Sequence, residues 1–263
     1  MSKKKRTGKR PARPPLIDFD LDNAVFVDFE TYGKGARDDR PVLVTVLDMR
    51  RLARADRERG VHAILRSGAV RTFVLHPDFV PAAREKRLGL LTPTAFARWL
   101  TKWQALRRPI VAFSSHDGKV LERQLDEPLR GYVNMLPYAK KWRWRKHRSA
   151  IDVFRRQVDG LPPDERAEAR REFNGLLSFL RLGGVPIQRR YGRGETAKRL
   201  RQAQLQLVER GAYARLTPRA KAGWVQAVRH NRFDVASLAA LAIAMDEDDR
   251  RAMKQSLQRE GAH

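Results

Sequence analysis

Residues 24–30 read Ala24-Val25-Phe26-Val27-Asp28-Phe29-Glu30, a β-branched and aromatic run that ends on two carboxylates. Such a composition predicts a buried strand. Because strand side chains alternate faces, Asp28 and Glu30 project to one side while Phe29 points to the other. Two like charges that close repel, so the pair either shares a proton or sits on a divalent cation. The same spacing also suits two solvent-facing acids at a strand end before the turn at Tyr32-Gly33.

Outward from this strand, Val42–Leu47 (VLVTVL) repeats the pattern, and Val61–Arg66 and Val70–Leu75 flank Ser67-Gly68 like the arms of a hairpin. Helical spacing follows over Thr94–Leu106, then a short buried strand over Pro109–Phe113 and a helix over Gly118–Leu125. After Pro162-Pro163 the chain turns largely helical, with helices expected over Asp164–Leu182, Glu195–Arg210 and Thr217–Met245, the last opened by Thr-Pro. Strands first and helices later predict an α/β fold, a mixed sheet flanked by helices in a single domain. That domain is expected over residues 16–246. Residues 1–15 hold seven Lys/Arg, three Pro and no acid, which predicts a disordered basic arm, and residues 247–263 read as a charged tail or fraying helix.

Composition narrows the function. The 263 residues carry 55 Lys+Arg against 30 Asp+Glu, a formal charge of +25, and the cations cluster, which points to a polyanionic partner, nucleic acid first. The absence of cysteine excludes disulfides, zinc ribbons, iron–sulfur clusters and thiol nucleophiles. No apolar run is long enough for a membrane span and no signal-peptide pattern is seen, so a cytoplasmic protein without a membrane partner is expected. The densest basic stretch, Tyr138–Arg148, interleaves Lys140, Lys141, Arg143 and Arg145 with Trp142 and Trp144, the mixture of phosphate neutralisation and base stacking suited to single-stranded nucleic acid. A second, around Arg189, Arg190 and Tyr191, could clamp a backbone.

Two further segments bear acids. Asp117 follows the expected strand Pro109–Phe113, where ligand sites favour the carboxyl ends of strands, and it reads equally as a helix cap. His230 and Asp234, in Arg229-His230-Asn231-Arg232-Phe233-Asp234-Val235, are i and i+4 on an expected helix and share a face, an imidazole beside a carboxylate that fits general base chemistry.

Together, Val25-Phe26-Val27-Asp28-Phe29-Glu30-Thr31, the strand followed by Asp117, and His230-Asn231-Arg232-Phe233-Asp234-Val235 resemble the DEDD superfamily of 3′–5′ exonucleases, whose fold is ribonuclease H-like. The likeness spans about residues 22–245. It implies a two-metal-ion nuclease using Mg²⁺ or Mn²⁺, with Asp28 bridging both ions, Glu30 and Asp234 completing the first, Asp117 holding the second, and His230 orienting or deprotonating water. The family's subtypes carry Tyr four residues or His five residues before the last Asp, whereas His230 stands four before Asp234. Its H-N-x-x-D form resembles a branch of predicted bacterial nucleases. Glu122 and Asp152 are the reserves for the middle acid. The rival readings are a non-catalytic nucleic-acid-binding protein on the same fold and a structure-specific endonuclease.

Overall fold

The computed structural model describes residues 14–32, 41–123, 125, 129–185, 187 and 195–260. Six strands, β1 Val25–Glu30, β2 Leu43–Asp48, β3 Val70–Val74, β4 Gly89–Leu90, β5 Ile110–Ala112 and β6 Tyr132–Asn134, form one mixed sheet in the order β4-β3-β2-β1-β5-β6. β1, β2 and β3 are antiparallel, with Asp28 opposite Thr45 and Thr45 opposite Thr72, while β5 runs parallel to β1 and β6 parallel to β5.

Eleven helices are seen among the described residues: α1 Arg54–Glu58, α2 Val61–Arg66, α3 Val80–Glu85, α4 Pro93–Ala105, α5 Ser115–Glu122, α6 Met135–Lys146, α7 Arg148–Val158, α8 Pro163–Phe173, α9 Leu176–Leu182, α10 Thr196–Arg210 and α11 Pro218–Glu260. The period-2 alternation of β1 divides them. Val25, Val27 and Phe29 pack with Phe96 and Leu100 of α4 and with Val120 and Leu121 of α5. Phe26 faces the other way, into a cluster with Phe233, Val235, Leu238 and Leu241 of α11. Asp28 and Glu30 share the Phe26 side of the strand, as their spacing predicts, and that side lies under α11.

α11 is 43 residues long, roughly 65 Å at the usual helical rise. Its amino-terminal part packs Trp224 and Ala227 against Phe79 and Leu200; its middle carries the fully buried Ala236, Ala239 and Ala242. Those alanines leave no bulk between helix and neighbours, so the helix axis runs close to the sheet.

Three expectations are corrected. Val61–Arg66 is helix α2 rather than a hairpin arm: Gly60, at φ +78°, turns the chain into the helix, and Val61, Ala63 and Ile64 are buried at helical spacing. Arg232 of α11 donates to the carbonyl of Leu65 at 3.2 Å and holds that turn. The single helix read over 164–182 is two, α8 and α9, broken at Asn174-Gly175. The stretch from 247 onward continues α11 to Glu260 and is anchored: Asp248 accepts a hydrogen bond from Trp142 Nε1 at 2.9 Å, and Asp249 pairs with Arg145 at 3.5 Å and accepts from the Leu16 amide. A local reading of that polar stretch misses partners more than 100 positions away. The basic arm falls outside the described residues except for Pro14 and Pro15. No helix among the described residues is long and apolar enough to cross a membrane.

Candidate active site

Three elements converge on the carboxyl end of β1. The strand supplies Asp28 and Glu30, both half-buried. α11 supplies His230, Asn231 and Asp234. Helical spacing sets His230 over Asp234, with Nε2 3.5 Å from Oδ2. Asn231, on the adjoining position, is fully buried and donates through Nδ2 to both the carbonyl (3.1 Å) and the carboxylate (2.6 Å) of Asp28. It thereby ties the strand end to the helix. Its Oδ1 is buried and has no hydrogen-bond partner among the described residues.

The third element is α5, which starts directly after β5. Ser114 is its N-cap, and Asp117, only 6% exposed, accepts hydrogen bonds from the Ser114 amide (3.3 Å) and hydroxyl (2.9 Å) in a capping box. Asp117 is therefore a cap and a member of the acidic cluster at once. Gly118 makes this possible: a Cβ there would stand 2.8 Å from the Tyr132 ring, whose hydroxyl donates to the Ser114 carbonyl. The bare Cα lets the first turn of α5 lie against β6.

The electrostatics mark the four acids as one group. Burial, then Asp117, Asp234 and Glu30, push the Asp28 carboxyl well above the usual carboxylate range, and the Asn231 amide opposes them. Glu30 is raised well above its usual range by burial, Asp234 and Asp117. Asp234 is pushed up to about 7 by burial and Asp117. Asp117 is also raised by burial, against its bonds from Ser114. His230 is shifted the opposite way, below its ordinary value, by burial and by the Arg199 guanidinium, so it is neutral at neutral pH.

Arg199 belongs to a cleft of about 280 Å³ between α10 and α11, lined also by Lys198, Gln202, Arg219 and Gln226. Its lining holds Lys198, Arg199 and Arg219 against one acid, Glu195, and Gln226 lies one helical turn before His230 on α11.

Oxygen-only donors, buried and mutually repelling, suit a hard divalent cation, and the orphaned Asn231 Oδ1 adds a neutral oxygen beside them. The pairings of Asp28 with Asn231, Asp117 with Ser114 and Asp234 with His230 occupy these groups. Among the described residues no three His, Asp or Glu side chains are gathered to hold an ion. The donor set fits a hard divalent cation in chemistry and charge, and holding one would exchange those pairings.

No family model, curated protein or solved structure matches this chain.

Of the remaining site residues read from sequence, Glu122 is exposed, and Asp152 is exposed and paired with Arg155 at 3.7 Å, so neither replaces Asp117. The basic stretch of α6 divides by helical face. Lys140, Lys141 and Trp144 are exposed, Trp144 to 47%, with the Arg148 guanidinium 4.7 Å from its ring centroid. Trp142 and Arg143 are corrections: at 2% and 4% exposure they are interior. Arg143 donates to the Phe173 carbonyl and to Asn174 Oδ1 (2.8 Å) with its guanidinium 3.6 Å from the Phe173 ring centroid, and so fastens α8 and α9 to α6. Arg145 is half-buried and committed to Asp249 and the Pro14 carbonyl. Arg189, Arg190 and Tyr191 lie outside the described residues. Asn231 and Arg199 were not singled out from sequence; Asn231 stood inside the quoted His-Asn-Arg-Phe-Asp motif, but only its register under β1 gives it a role.

Proposed function

We propose that this chain is a metal-dependent nuclease with a ribonuclease H-like fold, acting as a 3′–5′ exonuclease on single-stranded nucleic acid. The observation that carries this reading is that Asp28, Glu30, Asp117 and Asp234, from three separate elements, meet at one sheet end, where Asp117 and Asp234 raise the proton affinity of Asp28 and Glu30, and Asp117 raises that of Asp234. Buried acids that gain nothing from one another are costly to keep, unless a cation compensates them. The mixed sheet flanked by helices agrees with the family that the sequence resembles.

Asp28, Glu30, Asp117 and Asp234 would hold Mg²⁺ or Mn²⁺, which when bound supplies charge neutralisation for the phosphodiester and activation of water. Asn231 fixes the Asp28 carboxyl in orientation. His230, held neutral, would accept a proton from the attacking water through Nε2 once its 3.5 Å pairing with Asp234 gives way to the ion. Lys198, Arg199 and Arg219 draw the phosphate backbone toward the acids. A second reading, a non-catalytic nucleic-acid-binding protein, is favoured by one observation: no three acids are yet gathered around an ion position among the described residues.

Release of nucleotides from a 3′-labelled strand separates the two. Cleavage should require Mg²⁺ or Mn²⁺ and should collapse in Asp28→Asn while nucleic-acid affinity holds or rises, since an anion facing the phosphates has gone. Full activity in Asp28→Asn refutes the proposal.

A further inference from the structure

On the sheet face opposite Asp28, α4 covers only part of the surface. Beside it lies a cleft of about 260 Å³ floored by Val46 and Phe73 and walled by Trp99 and Trp103 of α4. It sits where Asp48 pairs with Val25, three residues or about 10 Å along β1 from Asp28. It is thus separate from the carboxylate cluster.

Its chemistry is aromatic and cationic together. The Phe73 and Trp99 rings meet edge to face at 4.9 Å, and Trp99 and Trp103 lie 6.0 Å apart. Phe73 can hold this position because Gly89 of β4 has no side chain: a Cβ there would lie 2.3 Å from the ring. The Arg71 guanidinium stands 5.1 Å from the Phe73 centroid and 6.0 Å from that of Trp99. Arg51 and Lys102 stand at the edge, exposed like Arg71. The cleft's one acid, Asp48, is already taken by the buried Arg108. Arg51, Arg71 and Lys102 therefore leave an excess of three positive charges without a carboxylate partner among the described residues.

We infer that this cleft is a second nucleic-acid contact, which takes a base of a single strand against Trp99 and Trp103 and its flanking phosphates on Arg51, Arg71 and Lys102. The excess charge excludes cationic ligands, and the phosphates of a strand complement it. The indoles and the ring-stacked guanidinium offer flat π surface, which a planar heterocycle uses and an aliphatic or acidic side chain does not. The contact needs no metal and does not depend on the carboxylates, so it stands apart from the nuclease reading.

The test uses the full chain in EDTA, where cleavage cannot proceed, with a short single strand bearing 5-iodouridine as photo-cross-linking probe. Cross-links should map to Trp99 or Trp103. Trp103→Ala should weaken binding about fivefold or more. Arg51→Gln with Lys102→Gln, both exposed and so neutral to folding, should lower the log-affinity against log-salt slope by about 1.4. Cross-links confined to other tryptophans, together with unchanged affinity and slope in these variants, overturn the inference. So does polyglutamate displacing the strand as well as an unlabelled strand does, because that outcome means a general anion patch without base stacking. Neither result bears on Asp28→Asn, whose cleavage assay decides the other question.

Discussion

Replacing Asp234 by Asn should stabilise the metal-free protein at neutral and alkaline pH, against the usual expectation for a buried polar residue. The Asp234 carboxyl is pushed from 3.8 up to about 7 in the fold. A group whose folded pKa is raised binds more protons in the folded than in the unfolded state. Its contribution is therefore fully present below the unfolded value and is lost as pH rises through the folded one. At about 1.4 kcal/mol per pH unit, ionising Asp234 in place costs up to roughly 4 kcal/mol by pH 8. With 23% of the side chain still exposed, that figure is a ceiling. The amide keeps the shape and cannot ionise, so thermal melts in EDTA at pH 8 should show Asp234→Asn more stable by up to about 10 °C. The advantage should shrink through pH 7–4 and vanish at pH 4, where the wild-type carboxyl is protonated. Mg²⁺ or Mn²⁺ should raise the melting temperature of the wild type at pH 8 and that of the variant much less. A variant equal to or less stable than wild type at pH 8 in EDTA would refute the claim that Asp234 sits in a buried field of like charge.

Three further substitutions have distinct expected outcomes. His230→Ala should reduce cleavage by about 10²–10⁴-fold and remove the acid limb of the pH–rate profile; because burial and Arg199 depress the imidazole, that limb in the wild type should lie below the ordinary histidine value of 6.5. On α6, Arg143→Ala should cost about 2–4 kcal/mol in denaturant titrations, through lost bonds to Phe173 and Asn174, and leave nucleic-acid affinity of the folded protein intact. Trp144→Ala should do the reverse, weakening binding about fivefold with little change in stability; a matching pattern for the two would contradict the division of that helix by face.

What the sequence determined alone was whatever depends on short-range periodicity. The alternation in Val25–Glu30 put both carboxylates on one side, and the four-residue spacing put His230 above Asp234, because side-chain direction along a strand or helix follows from backbone geometry. At Ser114–Asp117 the same logic left a strand-end ligand and a helix cap equally open, and the structure shows the capping box. Tertiary structure decided everything that needed a partner from elsewhere in the chain. Val61–Arg66 had strand-like composition and became a helix because Gly60 turned it and α11 offered a surface for Val61 and Ile64. Trp142 and Arg143 looked like their neighbours in a basic run, yet their helical face met Asp248 and Phe173 and was buried, while Trp144 faced outward. Asn231 stood inside the His-Asn-Arg-Phe-Asp motif, but nothing local gave it a task. Its role exists only because α11 crosses the end of β1 and brings an amide 2.6 Å from a carboxylate 203 positions earlier, a proximity that no propensity or spacing encodes.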